Sequence, residues 1–432
     1  MIRRDSGLAI GILILFSSTL AFPNSTPSDT VVLTLKNAEA MFLEKNLQLL
    51  AQKCNVEAAR AQVLQSQLWD NPTITANQNV YNTESDKNGA SKWFPLSDNG
   101  ETNLQIQQVI SVAGKRNKRI KLAELAAQKN ECLFYDLLRT LKYQLRSDFY
   151  KIYFTQQILS VYAKEIESLN KLVSASEEQY QKGHVSKKDL LRLRASAFSL
   201  ENEKLTLNNQ LIDARADLTL LLHLNRSCPI ARADGNSLDS VMIYNVGLKD
   251  LIDTALCHRN DLKAAEYDVK FNKLNLDYQK ATAIPDFQLI AGWDKNGSYV
   301  HNYNYVGIQI DLPFFNRNQG NIKSAIAAYE SSQYNYQTVQ DVVIGDVSSA
   351  YSKALQTDWL INQLDRKFVA DFDSMQGEVL RNYEKRNMSL LEFLDFYDAY
   401  KQNAVQYITL QNNRADALEG INYSIGKNLI VW

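Results

Sequence analysis

The sequence of 432 residues is poor in the residues that interrupt helices or build reactive sites. It has seven prolines and sixteen glycines, so very long helices are allowed. Its four cysteines form no CxxC pair, and its four histidines are scattered without metal-ligand spacing. It lacks the GxSxG and HExxH motifs and a phosphate-binding loop. We therefore expect no enzyme, no catalytic or metal-binding residue and no cofactor.

The charge balance argues against another class of partner. The formal net charge is -1, and charged residues make up 22% of the chain. Nucleic-acid-binding proteins carry a basic patch or stripe, and this composition gives no electrostatic reason to expect one. We therefore predict no nucleic acid as a partner.

The N-terminus has the layout of a cleavable export signal. Arg3 and Arg4 precede the apolar run Leu8–Phe16, and small residues follow as far as Ala21. The run is too short for a transmembrane anchor, which needs about 20 apolar residues. No later segment reaches about 18 consecutive apolar residues, so no membrane-spanning helix is predicted. Residues 1–21 are predicted to be a signal peptide.

The remaining chain contains two copies of one sequence pattern. Residues 35–72 align with residues 248–285 at a constant offset of 213, and 106–120 align with 308–322 at an offset of 202. The sequence YQKGHVSKKDLL at 180–191 returns as YEKRNMSLLEFL at 383–394. Two such long units indicate a duplication and not a solenoid.

Each predicted repeat contains a helix, two strands, a very long helix, a turn and a further helix. No glycine or proline lies between Gly114 and Gly183, which allows an unbroken helix there. Between the helices the apolar period changes to two, which is typical of strands. The first repeat is predicted at 33–224, with strands over about 73–80 and 102–112 and helices over about 115–182 and 187–224. A linker covers 225–247. The second repeat is predicted at 248–428, with strands over about 286–294 and 303–312 and helices over about 320–382 and 390–425.

The predicted strands have the length of a tilted transmembrane strand, about 9–11 residues. Alternation in a single segment is a weak signal, so soluble hairpins are the alternative. Four strands cannot close a barrel, and open strand edges are not tolerated in lipid. If the strands span a membrane, a dimer would supply eight strands to a shared barrel and a trimer twelve.

These features together resemble the TolC-like outer-membrane efflux family over nearly the whole mature chain. The resemblance rests on the duplication, the two turn sequences and the strand–helix junctions, and the junctions are most similar to the CzcC/CusC heavy-metal branch. The junction residues are Pro72, Gly114, Pro285, Pro313 and Gly320. Many members of that branch are lipoproteins, and the acylated cysteine is absent here.

The resemblance implies a fold and a set of partners. The fold is mixed α and transmembrane β: four strands per chain in a trimeric 12-stranded barrel, continued by a long α-helical periplasmic barrel. The implied protein is a passive outer-membrane channel of a tripartite efflux system in a Gram-negative bacterium. Its partners would be outer-membrane lipid, a periplasmic adaptor (membrane fusion) protein and an inner-membrane pump of the resistance-nodulation-division type. Heavy-metal cations, drugs and secreted proteins are the alternative cargoes.

The resemblance also implies a gate at the two turns. Glu392 and Asp395 match the carboxylate pair that lines the periplasmic aperture, and their spacing places both on one helix face. In a trimer they would form a ring that favours cations. The alternative is that they are solvated carboxylates favoured by the helix dipole.

Three further gate contacts are expected, two of them from the match. Asp189 and Tyr383 fall on the inter-helix contacts that keep the entrance closed. Met388 occupies the position of the family's partner arginine, so Arg386 or Lys385 would substitute for it. From a different class, a secreted or periplasmic coiled-coil scaffold is the rival interpretation of the whole chain.

Overall fold

The computed structural model of the chain describes residues 30–81, 93, 100–224, 228–232, 246–296, 299–363, 375, 377–383, 385 and 387–429. The predicted signal peptide and most of the predicted linker lie outside these residues. The strands are β1 (Thr30–Leu33), β2 (Thr73–Gln78), β3 (Thr102–Ile110), β4 (Cys228–Ala231), β5 (Phe287–Asp294) and β6 (Tyr303–Ile310). The helices are α1 (Leu35–Lys45), α2 (Leu47–Gln67), α3 (Lys115–Gln181), α4 (Lys187–Leu221), α5 (Leu248–His258), α6 (Asn260–Thr282), α7 (Gln319–Gln363) and α8 (Leu390–Ile425).

One four-stranded antiparallel sheet occupies one end of the molecule, in the order β2-β3-β5-β6. Its register places Ile74 opposite Ile106, Ile106 opposite Ala291 and Ala291 opposite Val306. Because side chains alternate along a strand, this face of the sheet is apolar except for Gln78, Thr102, Gln108 and Asn304. The opposite face carries mainly Thr, Asn, Gln and Tyr side chains. The sheet therefore has one apolar and one polar face.

The polar face has its own packing. The hydroxyl of Tyr305 donates to Oε1 of Gln105 at 3.3 Å and accepts from Asn103 Nδ2 at 3.4 Å. A Cβ at Gly292 would collide with the end of the Tyr305 ring, so glycine leaves room for this tyrosine in its present position.

Helix α3 is the axis of the helical part. Its 67 residues correspond to a length of about 100 Å. It packs against α2 and α6 near the sheet and against α4 and α8 farther from it. Helix α7 continues the row beyond α6 and α8. The helices thus form a curtain with α2 and α4 at one edge and α7 at the other.

Three apolar clusters hold this curtain together. One joins α1, α3 and α4 around Phe42 and Leu145, and another joins α5, α7 and α8 around Val343 and Leu418. The third lies at the far ends of the hairpins and is described below. Buried ion pairs also connect the helices, including Arg414 to Asp358 at 2.8 Å.

Several predicted boundaries differ from the observed elements. The helix expected before the strands is broken in both halves, at Asn46 and at Arg259. Asn46 accepts from the amide of Leu49 and so caps α2. The short strands β1 and β4 were not predicted, and β4 lies within the predicted linker, where it pairs in parallel with β1.

Candidate functional site at the hairpin tips

The two turns singled out by the sequence have the same backbone closure. In the first, the amide of His184 donates to the carbonyl of Gln179 at 2.9 Å. In the second, the amide of Asn387 donates to the carbonyl of Asn382 at 2.9 Å. Each bond spans five residues, as in a Schellman motif that ends a helix. Gly183 has a φ of 77° and supplies the left-handed residue of the first turn.

Each turn is followed by a serine that caps the next helix. The hydroxyl of Ser186 donates to Asp189 Oδ2 at 2.7 Å and accepts from the amide of Asp189 at 3.1 Å. At the second tip, Ser389 donates to Glu392 Oε2 from its amide at 2.9 Å and from its hydroxyl at 2.8 Å. The second arrangement is a complete capping box. Asp189 and Glu392 therefore occupy equivalent positions in the two hairpins.

The cap changes the acidity of one carboxylate predicted for the gate. The backbone and side-chain hydrogen bonds from Ser389 lower the pKa of Glu392 below its usual range. Glu392 is exposed and remains ionised at neutral pH. The neighbouring Asp395 is also exposed on α8. Two carboxylates are thus presented to solvent just after the second turn.

The two tips pack against each other around an aromatic stack. The rings of Tyr383 and Phe393 are stacked with centroids 4.7 Å apart, and Tyr397 lies 5.3 Å from Phe393. Phe393 and Tyr397 are buried among apolar residues of α3 and α4, including Leu169 and Leu193. The four chain segments that carry the tips therefore share one core.

Tyr383 joins this core to the first tip. Its phenol lies near Asp189 of α4 and near the buried Ser176 of α3. Burial raises the pKa of the Tyr383 phenol, and the negative charge of Asp189 raises it further. The structure thus brings together two of the three predicted gate contacts.

The described residues do not locate the positively charged partner predicted for the gate. Arg386, the third predicted contact, lies outside the described residues. Lys385 is exposed, and Met388 packs against the apolar core at the tips. The methionine thus has an apolar role where the resemblance expects an arginine.

A buried polar link above the tips was not anticipated from the sequence. Oε2 of Glu203 on α4 accepts from Tyr162 of α3 at 2.8 Å and from Nζ of Lys401 on α8 at 2.9 Å. Lys401 is 6% exposed. Nearby, the hydroxyl of Tyr397 donates to the carbonyl of Glu165. These bonds connect the first hairpin to the second, and no local sequence signal marks partners nearly 200 residues apart.

The predicted junction residues flank the sheet. Pro72 directly precedes β2, and Pro285 lies just before β5. Gly114 caps α3 in the left-handed region with a φ of 68°. Pro313 lies between β6 and α7, whereas Gly320 lies within the first turn of α7. The left-handed residue at that junction is Asn318, with a φ of 58°.

The described part of the chain lacks two features that would point to other functions. Among its helices, none has a segment long and apolar enough to cross a membrane. Within the same residues, no group of three or more His, Cys, Asp and Glu side chains could hold a metal ion.

Known proteins share this sequence pattern. The Outer membrane efflux protein family matches residues 40–222 and 251–427. The chain is 20% identical to the cobalt-zinc-cadmium resistance protein CzcC of Cupriavidus metallidurans, over 91% of this chain and 90% of the relative. It is 24% identical to the probable outer membrane lipoprotein SilC of Salmonella typhimurium, over 83% of this chain and 77% of the relative.

The fold is also shared with solved structures. CusC, described in connection with transmembrane channel formation, has a TM-score of 0.72 at 16% identity, with 91% of this chain and 92% of that chain covered. VceC of Vibrio cholerae has a TM-score of 0.71 at 15% identity, with 92% and 97% covered. The chain therefore belongs to the outer membrane efflux protein family and is a TolC-like protein of the outer membrane.

Proposed function

We propose that this protein is the outer-membrane duct of a tripartite efflux system. In this proposal three copies close a barrel of twelve strands, and their helices continue it as a tunnel into the periplasm. A periplasmic adaptor and an inner-membrane pump of the resistance-nodulation-division type deliver the cargo. The observation that carries the proposal is the four-stranded sheet. Its apolar face is exposed and, in the part of the chain that the structure describes, its two outer strands have unpaired edges.

The sheet has an exposed apolar face and two unpaired edges. Val306 is 87% exposed, Ile74 68% and Ile308 67%, all on the same face. Within the described residues, β2 and β6 each have a single strand neighbour. Unpaired backbone groups in hydrocarbon cost several kcal/mol each, so a sheet in lipid closes on itself. Pairing of β6 with β2 of the next copy would remove both edges.

The helical curtain has a matching free edge. Exposed positions on α1 and α2 are spaced alternately four and three residues apart, on the side of α2 away from α3. Five of them are leucines, which is the pattern of a coiled-coil seam. The seam consists of Leu43, Leu47, Leu50, Cys54, Glu57, Ala61, Leu64 and Leu68. We propose that the exposed side of α7 from the next copy covers this seam.

We propose that the tips gate the tunnel. Three copies would place Glu392 and Asp395 in a ring of six carboxylates, which favours cations. Tyr383 and Asp189 would hold the two hairpins together in the closed state, with Arg386 as the third contact. The name of CzcC, a cobalt-zinc-cadmium resistance protein, supports heavy-metal cations as cargo, with drugs and secreted proteins as the alternatives.

The test is ion conduction by the purified protein in planar bilayers. Glu392→Gln with Asp395→Asn removes the charges, while glutamine can still complete the capping box. We expect cation-selective pores in the wild type, and weaker cation selectivity and weaker block by multivalent cations in the variant. The control, Glu201→Gln with Asp213→Asn, removes two exposed carboxylates of α4. Unchanged selectivity in the tip variant would contradict the proposed carboxylate ring. A wild type that forms no pores would contradict the proposed function as a duct.

A further inference from the structure

The start of α3 carries an unusual concentration of positive charge. Five of the first seven residues of α3 are cationic, and its first turn contains no acidic residue. They are Lys115, Arg116, Lys118, Arg119 and Lys121. Cations are disfavoured at a helix N-terminus because of the helix dipole. The positive charge of this cluster therefore opposes helix formation unless carboxylates or carbonyl oxygens from outside α3 offset it.

The two innermost lysines are compensated within the chain. Lys115 is buried and lies 2.9 Å from Asp286. Lys118 donates to the carbonyl of Ala113 at 2.7 Å. These lysines fasten the strand–helix junction and are not available to a ligand.

The two arginines are compensated only in part. Arg116 donates to the carbonyl of Gln67 through Nη2, and its guanidinium lies 4.7 Å from the centre of the Trp69 ring. Arg119 approaches Asp70 at 3.6 Å. The Nε atoms of both arginines are buried and have no hydrogen-bond partner among the described residues. Because the arginines are three residues apart, they share one face of α3.

The second half of the chain shows that the fold does not require these charges. At the offset of 202, Arg116 corresponds to Asn318 and Arg119 to Asn321. Nδ2 of Asn318 donates to the carbonyl of Gln279 near the end of α6 at 2.8 Å. That is the role of Arg116 at the end of α2, performed there by a neutral amide. A neutral donor is thus sufficient for the hydrogen bond to the helix-end carbonyl, and the fold does not need the positive charge of the arginines.

The surroundings of the arginines are those of a membrane–water boundary. Trp69 is 65% exposed and lies beside the exposed Leu68. Pro72 and Ile74, a few residues farther on, belong to the apolar face of the sheet. Tryptophan rings are enriched where hydrocarbon meets lipid headgroups. Arginine binds phosphate through two parallel, charge-assisted hydrogen bonds.

We propose that Arg116, Arg119 and the Trp69 ring form a binding site for the phosphate of an anionic lipid headgroup in the periplasmic leaflet. The inference rests on the proposed function in one respect, since it takes the sheet as the part within the membrane. Each chain carries the site once, at the α2–α3 junction. The corresponding junction of the second half, with its asparagines, does not.

The test is native mass spectrometry of the detergent-solubilised protein titrated with phosphatidylglycerol and with phosphatidylcholine of the same acyl chains. Arg116→Asn with Arg119→Asn copies the second half and keeps a donor for the Gln67 carbonyl. We expect the wild type to prefer phosphatidylglycerol and the variant to lose about thirtyfold of this preference. Lys187→Asn with Lys188→Asn removes two exposed charges at the distant tip and should leave the preference unchanged.

Several results would overturn the site. Equal binding of the two lipids by the wild type, or an unchanged preference in the arginine variant, would contradict it. Complete displacement of phosphatidylglycerol by equimolar inorganic phosphate would assign the arginines to a free anion instead of a lipid. Failure of the proposed duct would be seen separately, as an absence of pores in planar bilayers.

Discussion

For the link between Glu203 and Lys401, we predict that loss of the carboxylate destabilises the protein more than loss of the lysine. Lys401 is almost fully buried, and without Glu203 its nearest carboxylate is Asp398 at 3.8 Å. Glu203 itself is 40% exposed and keeps its hydrogen bond from Tyr162 if Lys401 is removed. Breaking a buried pair costs about 3–5 kcal/mol when a charge is left behind, whereas an exposed carboxylate loses about 0–1 kcal/mol. We therefore expect Glu203→Met to destabilise the tips by about 2–3 kcal/mol and Lys401→Met by about 1 kcal/mol.

The same link predicts a pH dependence. Burial acts to raise the pKa of Glu203, but the hydrogen bonds from Lys401 and Tyr162 outweigh it, so the pKa is lowered. A carboxylate with a lowered pKa in the folded state stabilises that state above its unfolded pKa and loses the effect as the pH falls through the folded value. The link should therefore be intact at neutral pH and weaken as the pH falls through the acidic range in which Glu203 becomes protonated.

Hydrogen exchange of α8 measures this link locally. The free energy of opening of the first turns of α8 should fall more in Glu203→Met than in Lys401→Met. The double variant should be more stable than the sum of the two losses predicts, with a coupling of about 2 kcal/mol. Equal losses in the single variants, or strict additivity in the double variant, would refute the assignment of Lys401 as a buried charge that depends on Glu203.

Further predictions concern single side chains of the shaft and the tips. Burial and the charge of Asp217 raise the pKa of Asp148 to about 6, against the opposing effect of Lys151. Ionisation therefore opposes folding as the pH rises from about 4 through 6, so Asp148→Asn should stabilise the protein by about 1–2 kcal/mol at pH 7, after allowance for solvent screening. Denaturation midpoints should show this gain vanish below pH 4, and a gain independent of pH would contradict it. Ser389→Ala should cost about 1 kcal/mol and speed exchange in the first turn of α8, with Ser186→Ala as its counterpart on α4. Unchanged exchange in both variants would exclude a role for the caps in holding the tips. Deletion of the gene should sensitise cells to zinc, cobalt, copper or silver, and sensitivity to hydrophobic drugs alone would refute metal cargo.

The long elements were the most predictable part of the fold. Helix α3 extends over Lys115–Gln181 because neither glycine nor proline interrupts it, and Gly183 closes the turn that follows. Strand β3 ends at Ile110, short of the predicted 112, because the chain turns into left-handed conformations at Ala113 and Gly114. Strands β1 and β4 have four residues each, too few for a period of two to be recognised.

The tips divide into local and long-range features. The caps at Ser186 and Ser389 are visible in the sequence, because a serine stands three residues before an acidic residue at the start of each helix. The stack of Tyr383 on Phe393 crosses the second turn, whereas the link of Lys401 to Glu203 joins the two hairpins, whose distance in space no local pattern gives. The apolar position of Met388 likewise depends on the packed core.

The central claim, that copies of this chain close a ring, is tested most directly by disulfide cross-linking across the free edges. Cys54 lies on the seam of α2, 13 residues from the end of that helix at Gln67. A similar distance along α7, 15 residues or about 22 Å, leads from Gln319 to the exposed Tyr334. Cysteines introduced singly at exposed positions of α7, from two turns before Tyr334 to one turn after it, should include one that meets Cys54 of the next copy. The scan consists of Ala327→Cys, Glu330→Cys, Tyr334→Cys and Thr338→Cys, with Cys132, Cys228 and Cys257 replaced by serine.

Oxidation in isolated membranes should give a ladder of monomer, dimer and trimer on denaturing gels, ending at the trimer. The ladder should collapse to the monomer when Cys54 is replaced by serine. The absence of cross-links at every α7 position, or a ladder that ends at the dimer, would contradict a closed ring of three chains.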